Sequence, residues 1–134
     1  MKKPVFVGIG TTGLTDHGRD IPLPMVPLYQ WFLSVAHKDK KAVENILDED
    51  VRKGEESVLD SFVALRCSLF TDGAEKGVEK VRVSRETKDK LEDRERGYTI
   101  SRKDVGGWIF TKLVERWEGD GKDRYGARFV SLTY

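Results

Sequence analysis

Cysteine occurs once in these 134 residues, at Cys67, so no internal disulfide can form and nothing points to an oxidising compartment. Histidine is nearly as scarce. His17 and His37 beside one thiol give no zinc-like ligand spacing, and the sequence names no metal and no cofactor. Asn45 and Gln30 are the only side-chain amides, a depletion seen in hyperthermophile proteins and equally in genomes of biased composition. Charge of one sign is lacking too. With 24 Lys and Arg against 23 Asp and Glu the net charge is +1, whereas a nucleic-acid binder normally carries a basic footprint. Nucleic acid is therefore an unlikely partner. Long apolar runs are absent as well: the stretch at residues 5–9 is shorter than the apolar core of a secretory signal, about 7–15 residues, or a membrane span of about 20. A cytoplasmic protein is the expectation.

What is present suits one folded domain. Charged residues reach 35%, above the usual figure of about 25%, and must cover a surface. Three Trp and six Phe within a hydrophobic content of 38% supply an interior.

Three regions follow along the chain. Residues 1–27 form a Gly/Pro-rich arm in which a short strand at residues 5–7 leads into a loop, and Pro22, Pro24 and Pro27 predict an extended strap over 21–27. The second region is helical, over 28–72. Leu28, Trp31, Phe32 and Val35 have helical spacing; Asp39 suits the cap of a second helix with Val43, Ile46 and Leu47; Val58, Phe62, Leu65 and Leu69 predict a third. The third region, 78–134, reads as antiparallel strands. Val81 and Val83 alternate with charged neighbours, a charged hairpin tip follows at 85–96, and Tyr98 and Ile100 return. Residues 107–118 also fit a helix, but Gly106 and Gly107 and the turn at 119–123 favour a strand. Val130, Leu132 and Tyr134 share one face of the last strand.

The fold expected is α+β: three N-terminal helices packed on one face of a curved antiparallel sheet of about four strands, preceded by the arm, with residues 28–134 as a single domain. This order of elements resembles that of the cone-shaped domains of the nuclear-transport-factor-like superfamily; no motif residue matches, and no functional residue is carried across.

The sharpest motif is Gly8-Ile9-Gly10-Thr11-Thr12-Gly13, a match to the dinucleotide-binding G-x-G-x-x-G. It lacks the motif's context, because prolines rather than a helix follow and no parallel strand is foreseen about twenty residues on. A flexible or docking arm is the reading preferred. Asp16, His17 and Asp20 could ligate a metal or move protons but read more simply as a polar turn. His37, before Lys38, Lys40 and Lys41, suits a helix C-terminus. Cys67 reads as a buried apolar residue of the third helix. The basic residues Arg82, Arg85, Lys88, Lys90, Arg94, Arg96, Arg102 and Lys103 are interleaved with acids. With no convergent catalytic set, the function expected is a non-catalytic interaction or assembly module, a homo-oligomer or partner of another protein, associating through a sheet edge or the arm. The alternative is a small-molecule or enzymatic pocket between helices and sheet, lined by Trp31, Phe62, Tyr98, Trp108 and Trp117, with Phe110 beside them and Asp60 or His37 as polar groups.

Overall fold

The computed structural model describes residues 2–134. Strand β1 (Val5–Thr11) opens the chain, helices α1 (Val26–Trp31) and α2 (Ser34–Arg52) follow, and the next strand is β2 (Ser61–Cys67). Then come β3 (Leu69–Thr71), β4 (Arg82–Glu86), β5 (Thr99–Ser101), α3 (Arg102–Trp108), α4 (Lys122–Tyr125) and β6 (Arg128–Thr133). The main sheet has the order β1-β2-β6-β4. β1, β2 and β6 run parallel, and β4 is antiparallel to β6. A second, two-stranded parallel sheet joins β3 to β5.

β2 occupies the middle of this architecture, and all seven of its residues are buried. Successive side chains of a strand point to opposite faces. Phe62 and Ala64 therefore meet Leu47 of α2 and Phe129 on one side. Val63, Leu65 and Cys67 meet Val105, Trp108, Leu113 and Tyr125 on the other, with Val130 and Leu132 of β6. Burying each such Leu, Val or Phe is worth about 1.5–3 kcal/mol. Helices thus cover both faces, as parallel strands require.

This mixed sheet overturns the expected antiparallel sheet with three N-terminal helices on one face, and with it the cone-shaped likeness. The third helix is in fact β2. Val58, Phe62, Leu65 and Leu69 lie four, three and four apart, but a strand buried on both faces is apolar at nearly every position and mimics any period. The first two helices become α1 and one long α2, which runs through Asp39 without a cap there. The proline strap is a short 3-10 turn, Leu23–Met25, leading into α1, with Pro27 in the first turn.

Residues 107–118 are helical, not a strand. Ser101 caps α3, its Oγ accepting from the Lys103 N–H at 3.2 Å, and Asp104 stands in the first turn. Wide π-type turns continue over Ile109–Val114 and Trp117–Gly121 towards α4, but Gly119, with φ −96 and ψ −116, leaves the helical region, so the chain kinks at the start of the turn expected over 119–123 before α4 begins at Lys122. Gly107 is there for packing: a Cβ would stand 3.0 Å from Val78 Cγ2. The charged hairpin is not formed either, because β4 pairs with β6, β5 pairs with β3, and only a single bridge, Glu86 to Leu91, crosses the charged loop. Among the described residues no helix is long and apolar enough to cross a membrane.

Candidate functional site

Where β1 ends, the chain turns sharply. Thr12 is buried and its N–H donates to the Cys67 carbonyl at 3.1 Å, holding the end of β1 against β2. Gly13 then takes a φ of +91, and a Cβ on it would lie 2.9 Å from Tyr29 Cδ1 and 3.2 Å from His37 Cε1. Only glycine combines that backbone with so close an approach. The Gly13 N–H donates to Asp20 Oδ1 at 2.9 Å, closing the loop that returns to α1.

That loop is tied down on several sides, which corrects the flexible or docking arm expected for it. Lys41 of α2 donates to the Leu14 carbonyl at 2.7 Å and pairs with Asp16 at 2.9 Å. Thr15 donates to Glu86 Oε2 at 2.6 Å, His17 Nε2 lies 2.7 Å from the Thr87 carbonyl, and Arg94 and Arg96 donate to the carbonyls of His17 and Arg19. Asp16, His17 and Asp20 consequently face three different partners. Among the described residues no group of three metal-ligating side chains exists.

Asp20, Tyr29 and His37 converge instead. They line a cavity of about 470 Å³ with Gly13, Gln30 and Ser34. Tyr29 stacks on His37 with ring centroids 5.1 Å apart, and its hydroxyl lies 3.2 Å from Thr12 Oγ1. Asp20 is only 2% exposed, yet its Oδ2 has no hydrogen-bond partner, and neither has the buried Nε2 of His37. Buried polar atoms are paired in the great majority of cases, so two such atoms without a protein partner, on residues that line one cavity, set this place apart. Burial holds the His37 imidazole below the usual histidine value, against the opposing pull of Asp20. A neutral imidazole beside a carboxyl group can bind an N–H or O–H and pass a proton.

The same burial has a consequence for stability. The folded state resists protonating His37 while the unfolded chain does not, so the unfolded state binds more protons as pH falls below about 6.5. The stability His37 contributes is complete above that pH and declines below it. Urea titrations of the wild type and of His37→Phe across pH 5–8 are expected to differ in slope only on the acid side; parallel curves would remove His37 as the cause.

A second buried cluster supports the loop from α2's side of the sheet. Arg66 of β2 donates through Nε and Nη2 to the two oxygens of Glu44, at 2.8 Å each, and through Nη1 to Glu86. Glu86 is also the acceptor of the Thr15 hydroxyl.

The remaining sequence candidates lie elsewhere. Trp108 and Trp117 belong to the core on the α3 side and Phe62 to the core under α2, while Trp31 and Tyr98 are exposed, so these five do not surround one space. Phe110 is exposed, and Asp60 pairs with Lys122 at 2.8 Å. Cys67 lies on β2 rather than a helix, and burial pushes its thiol up to about 12. Gly8 and Gly10 stand inside β1, with Gly10 facing the Leu65 carbonyl and Lys40, so neither forms a loop over a phosphate. A strand–helix–parallel-strand unit does follow them, but β2 comes some fifty residues on, beyond the spacing that the motif supplies. Arg82, Arg85 and Arg102 pair with Glu95, Asp93 and Asp72.

Two curated proteins resemble the chain. Reductase pytE of Aspergillus terreus is 37% identical over 137 residues, a match that covers 99% of this chain and 49% of that protein. Oxidase pynE of Aspergillus niger is 34% identical over 118 residues, covering 85% of this chain and 38% of that protein. The chain spans about half the length of the first and less of the second. No family model matches, and no solved structure matches. Both relatives are named for redox catalysis, and this overturns the expectation of a non-catalytic, self-associating assembly module in favour of the enzymatic alternative.

Proposed function

We propose that this chain supplies the substrate-binding, proton-exchanging pocket of an oxidoreductase acting on a small molecule. The observation that carries the reading is the pair of unpartnered buried atoms, Asp20 Oδ2 and His37 Nε2, beside one cavity at the carboxyl end of a parallel strand. Open parallel sheets bind ligands at that end. The names of the two relatives support redox chemistry as the reaction class.

In this reading Asp20 accepts a hydrogen bond from an N–H or O–H of the substrate. His37 meets a carbonyl or hydroxyl oxygen, donating or accepting the proton that accompanies reduction or oxidation. Tyr29 holds the imidazole plane by stacking, and Gly13 leaves room for both. Redox chemistry also needs an electron carrier. Gly8 and Gly10 do not fit a dinucleotide's pyrophosphate, and the part that Asp20 and His37 play is binding and proton exchange.

A thermal-shift panel of hydroxy-ketones, enones, lactams and phenols tests this directly. A compound present at a hundred times its dissociation constant adds about 2.7 kcal/mol of stability. We expect at least one class to raise the melting temperature of the wild type and to lose that effect in both Asp20→Asn and His37→Phe. A shift that survives both substitutions, or no shift from any class at millimolar concentration, would refute the pocket.

A further inference from the structure

Of the two adjoining glycines in α3, packing explains only one. A Cβ on Gly107 would stand 3.0 Å from Val78 Cγ2, whereas a Cβ on Gly106 would meet no atom within 4 Å. Glycine is the poorest residue after proline for the interior of a helix, so Gly106 weakens α3 with no close neighbour to require it. What its missing side chain leaves open is a cavity of about 280 Å³, which Gly106 lines together with Ile9 of β1, Phe70 of β3 and Ile109.

That cavity belongs to a longer groove. Ile9 and Phe70 also line a second cavity, of about 310 Å³, and His37 lines both this second space and the Asp20 cavity. Three spaces therefore adjoin in turn, from Asp20 past His37, over Ile9 and Phe70, to Gly106. Their linings differ in kind. Asp20 and His37 bring unpartnered polar atoms to the first. Beyond His37 the side chains turn apolar, with Leu33 and Ala36 beside Ile9 and Phe70, then Val105 and Ile109. The cations on this path are engaged elsewhere. Lys40 Nζ donates to the Ile9 carbonyl at 3.4 Å, and Arg102, its guanidinium 5.0 Å from the centre of the Phe70 ring, donates to Asp72. Thr11 adds one hydroxyl, in the cavity that His37 shares. Ile9 and Phe70, common to both apolar spaces, are 48% and 38% exposed, so each offers a free apolar surface along the groove.

We propose that the groove from His37 to Gly106 holds the apolar chain of the molecule whose polar head Asp20 and His37 bind, which makes the substrate class amphipathic: a hydroxyl- or carbonyl-bearing head on an alkyl, alkenyl or aryl tail. Small-molecule sites are mostly apolar with a few directed polar groups, and here the two kinds of lining are shared out along one path joined by His37. Ile9 and Phe70 hold the chain at its middle. Gly106 sets how far the chain extends, because any side chain there would enter the last space.

This assignment rests on the polar head site of the proposed function, and two probes separate the failure of one from the failure of the other. Phenylnaphthylamine, an uncharged fluorophore with no hydroxyl or carbonyl head, reads the groove by itself. Hydroxymethyl n-alkyl ketones, from the ethyl to the octyl compound, read head and groove together by thermal shift. With the wild type the fluorophore is expected to brighten, and ketone affinity to tighten about twofold for each added methylene, the yield when about half of its surface leaves water. Gly106→Phe fills the last space in a helix that gains propensity, so the melting temperature should hold while the fluorophore is released. Ile9→Glu sets a carboxylate at the middle of the groove and should release it too. Either substitution should remove the dependence on chain length, and Asp20→Asn should weaken every ketone yet spare the fluorophore. A fluorophore held equally by the wild type and both groove variants, or ketones that bind without regard to chain length, would overturn the groove and leave the head site standing. A fluorophore lost with Trp31→Ala but kept by Gly106→Phe would place it on the outer face of α1 and overturn the groove as well. Ketones that bind at no length, beside a fluorophore released by both groove variants, would reject the head site and retain the groove.

Discussion

Replacing Arg66 with methionine is expected to remove roughly 3–5 kcal/mol of stability, the cost of leaving buried charge without its partner. The guanidinium is 1% exposed and bridges Glu44 on α2 to Glu86 on β4. Its planar fork meets Glu44 through two parallel hydrogen bonds, a geometry lysine cannot reproduce. Without it two buried carboxyl groups remain, and Arg94, 3.8 Å from Glu86, is too distant to replace the lost hydrogen bonds. The damage should reach the cavity, because Glu86 anchors Thr15 and so the loop that carries Asp20. Replacing all three charged groups, as Arg66→Met, Glu44→Leu and Glu86→Leu, should recover most of the loss, since apolar residues can fill such a site without a desolvation cost. Urea unfolding followed by circular dichroism reads both variants. A single-variant loss below about 1 kcal/mol would mean that water reaches the carboxyl groups and that the cluster is not a closed ionic core.

A loss of similar size is expected for Trp108→Ala, roughly 3–5 kcal/mol. Trp108 is 1% exposed and meets Tyr125 edge-on with ring centroids 5.0 Å apart, so its removal opens a void between β2, β6 and the wide helical turns. Trp31→Ala is the instructive contrast: 80% exposed, it should change the stability of the free chain by no more than about 0.5 kcal/mol. Similar losses for the two, read from chemical denaturation of each variant, would mean that Trp31 is packed in solution and that the outer face of α1 and α2 is already covered.

Much of the outline was legible in the residues. β1, the helical character of 28–47 and β6 stand where local pattern put them, although the stripe that predicted the helices, Leu28, Trp31, Phe32, Val35, Val43 and Ile46, is exposed and only Leu47 of it is buried. β2 was hidden for the reason that makes it central: Phe62, Val63, Ala64 and Leu65 are buried on both sides, so no polar alternation marks them as a strand. α3 was masked by Gly106 and Gly107, of which Gly107 packs closely against Val78 while Gly106 faces open space, although Ser101 followed by Asp104 is a start signal that could have revealed it.

The site was legible only in pieces. Asp20 reads as part of a polar loop and His37 as a helix C-terminus, whereas His37 stands in the first turn of α2, its N–H donating to the Leu33 carbonyl, and nothing in the spacing of residues 20 and 37 tells that they meet. What joins them is topology. The loop after β1 folds back on α2, held by Lys41, Thr15 and Arg96, and those contacts span 25 to 77 positions of sequence. The glycine motif was visible but misleading, because two of its glycines serve the strand and only Gly13 serves the cavity.

The order of the main sheet also sets how the molecule must assemble in time. β1, β2 and β6 are adjacent in space yet far apart in sequence, so none of their pairings can form as a local hairpin. Each must close a long loop before any stabilisation is returned, which places the rate on the slow side for a chain of this size. Until that closure the greasy middle strand stays open to other molecules, and the hazard during synthesis is clumping of half-made sheets rather than loss of the finished one.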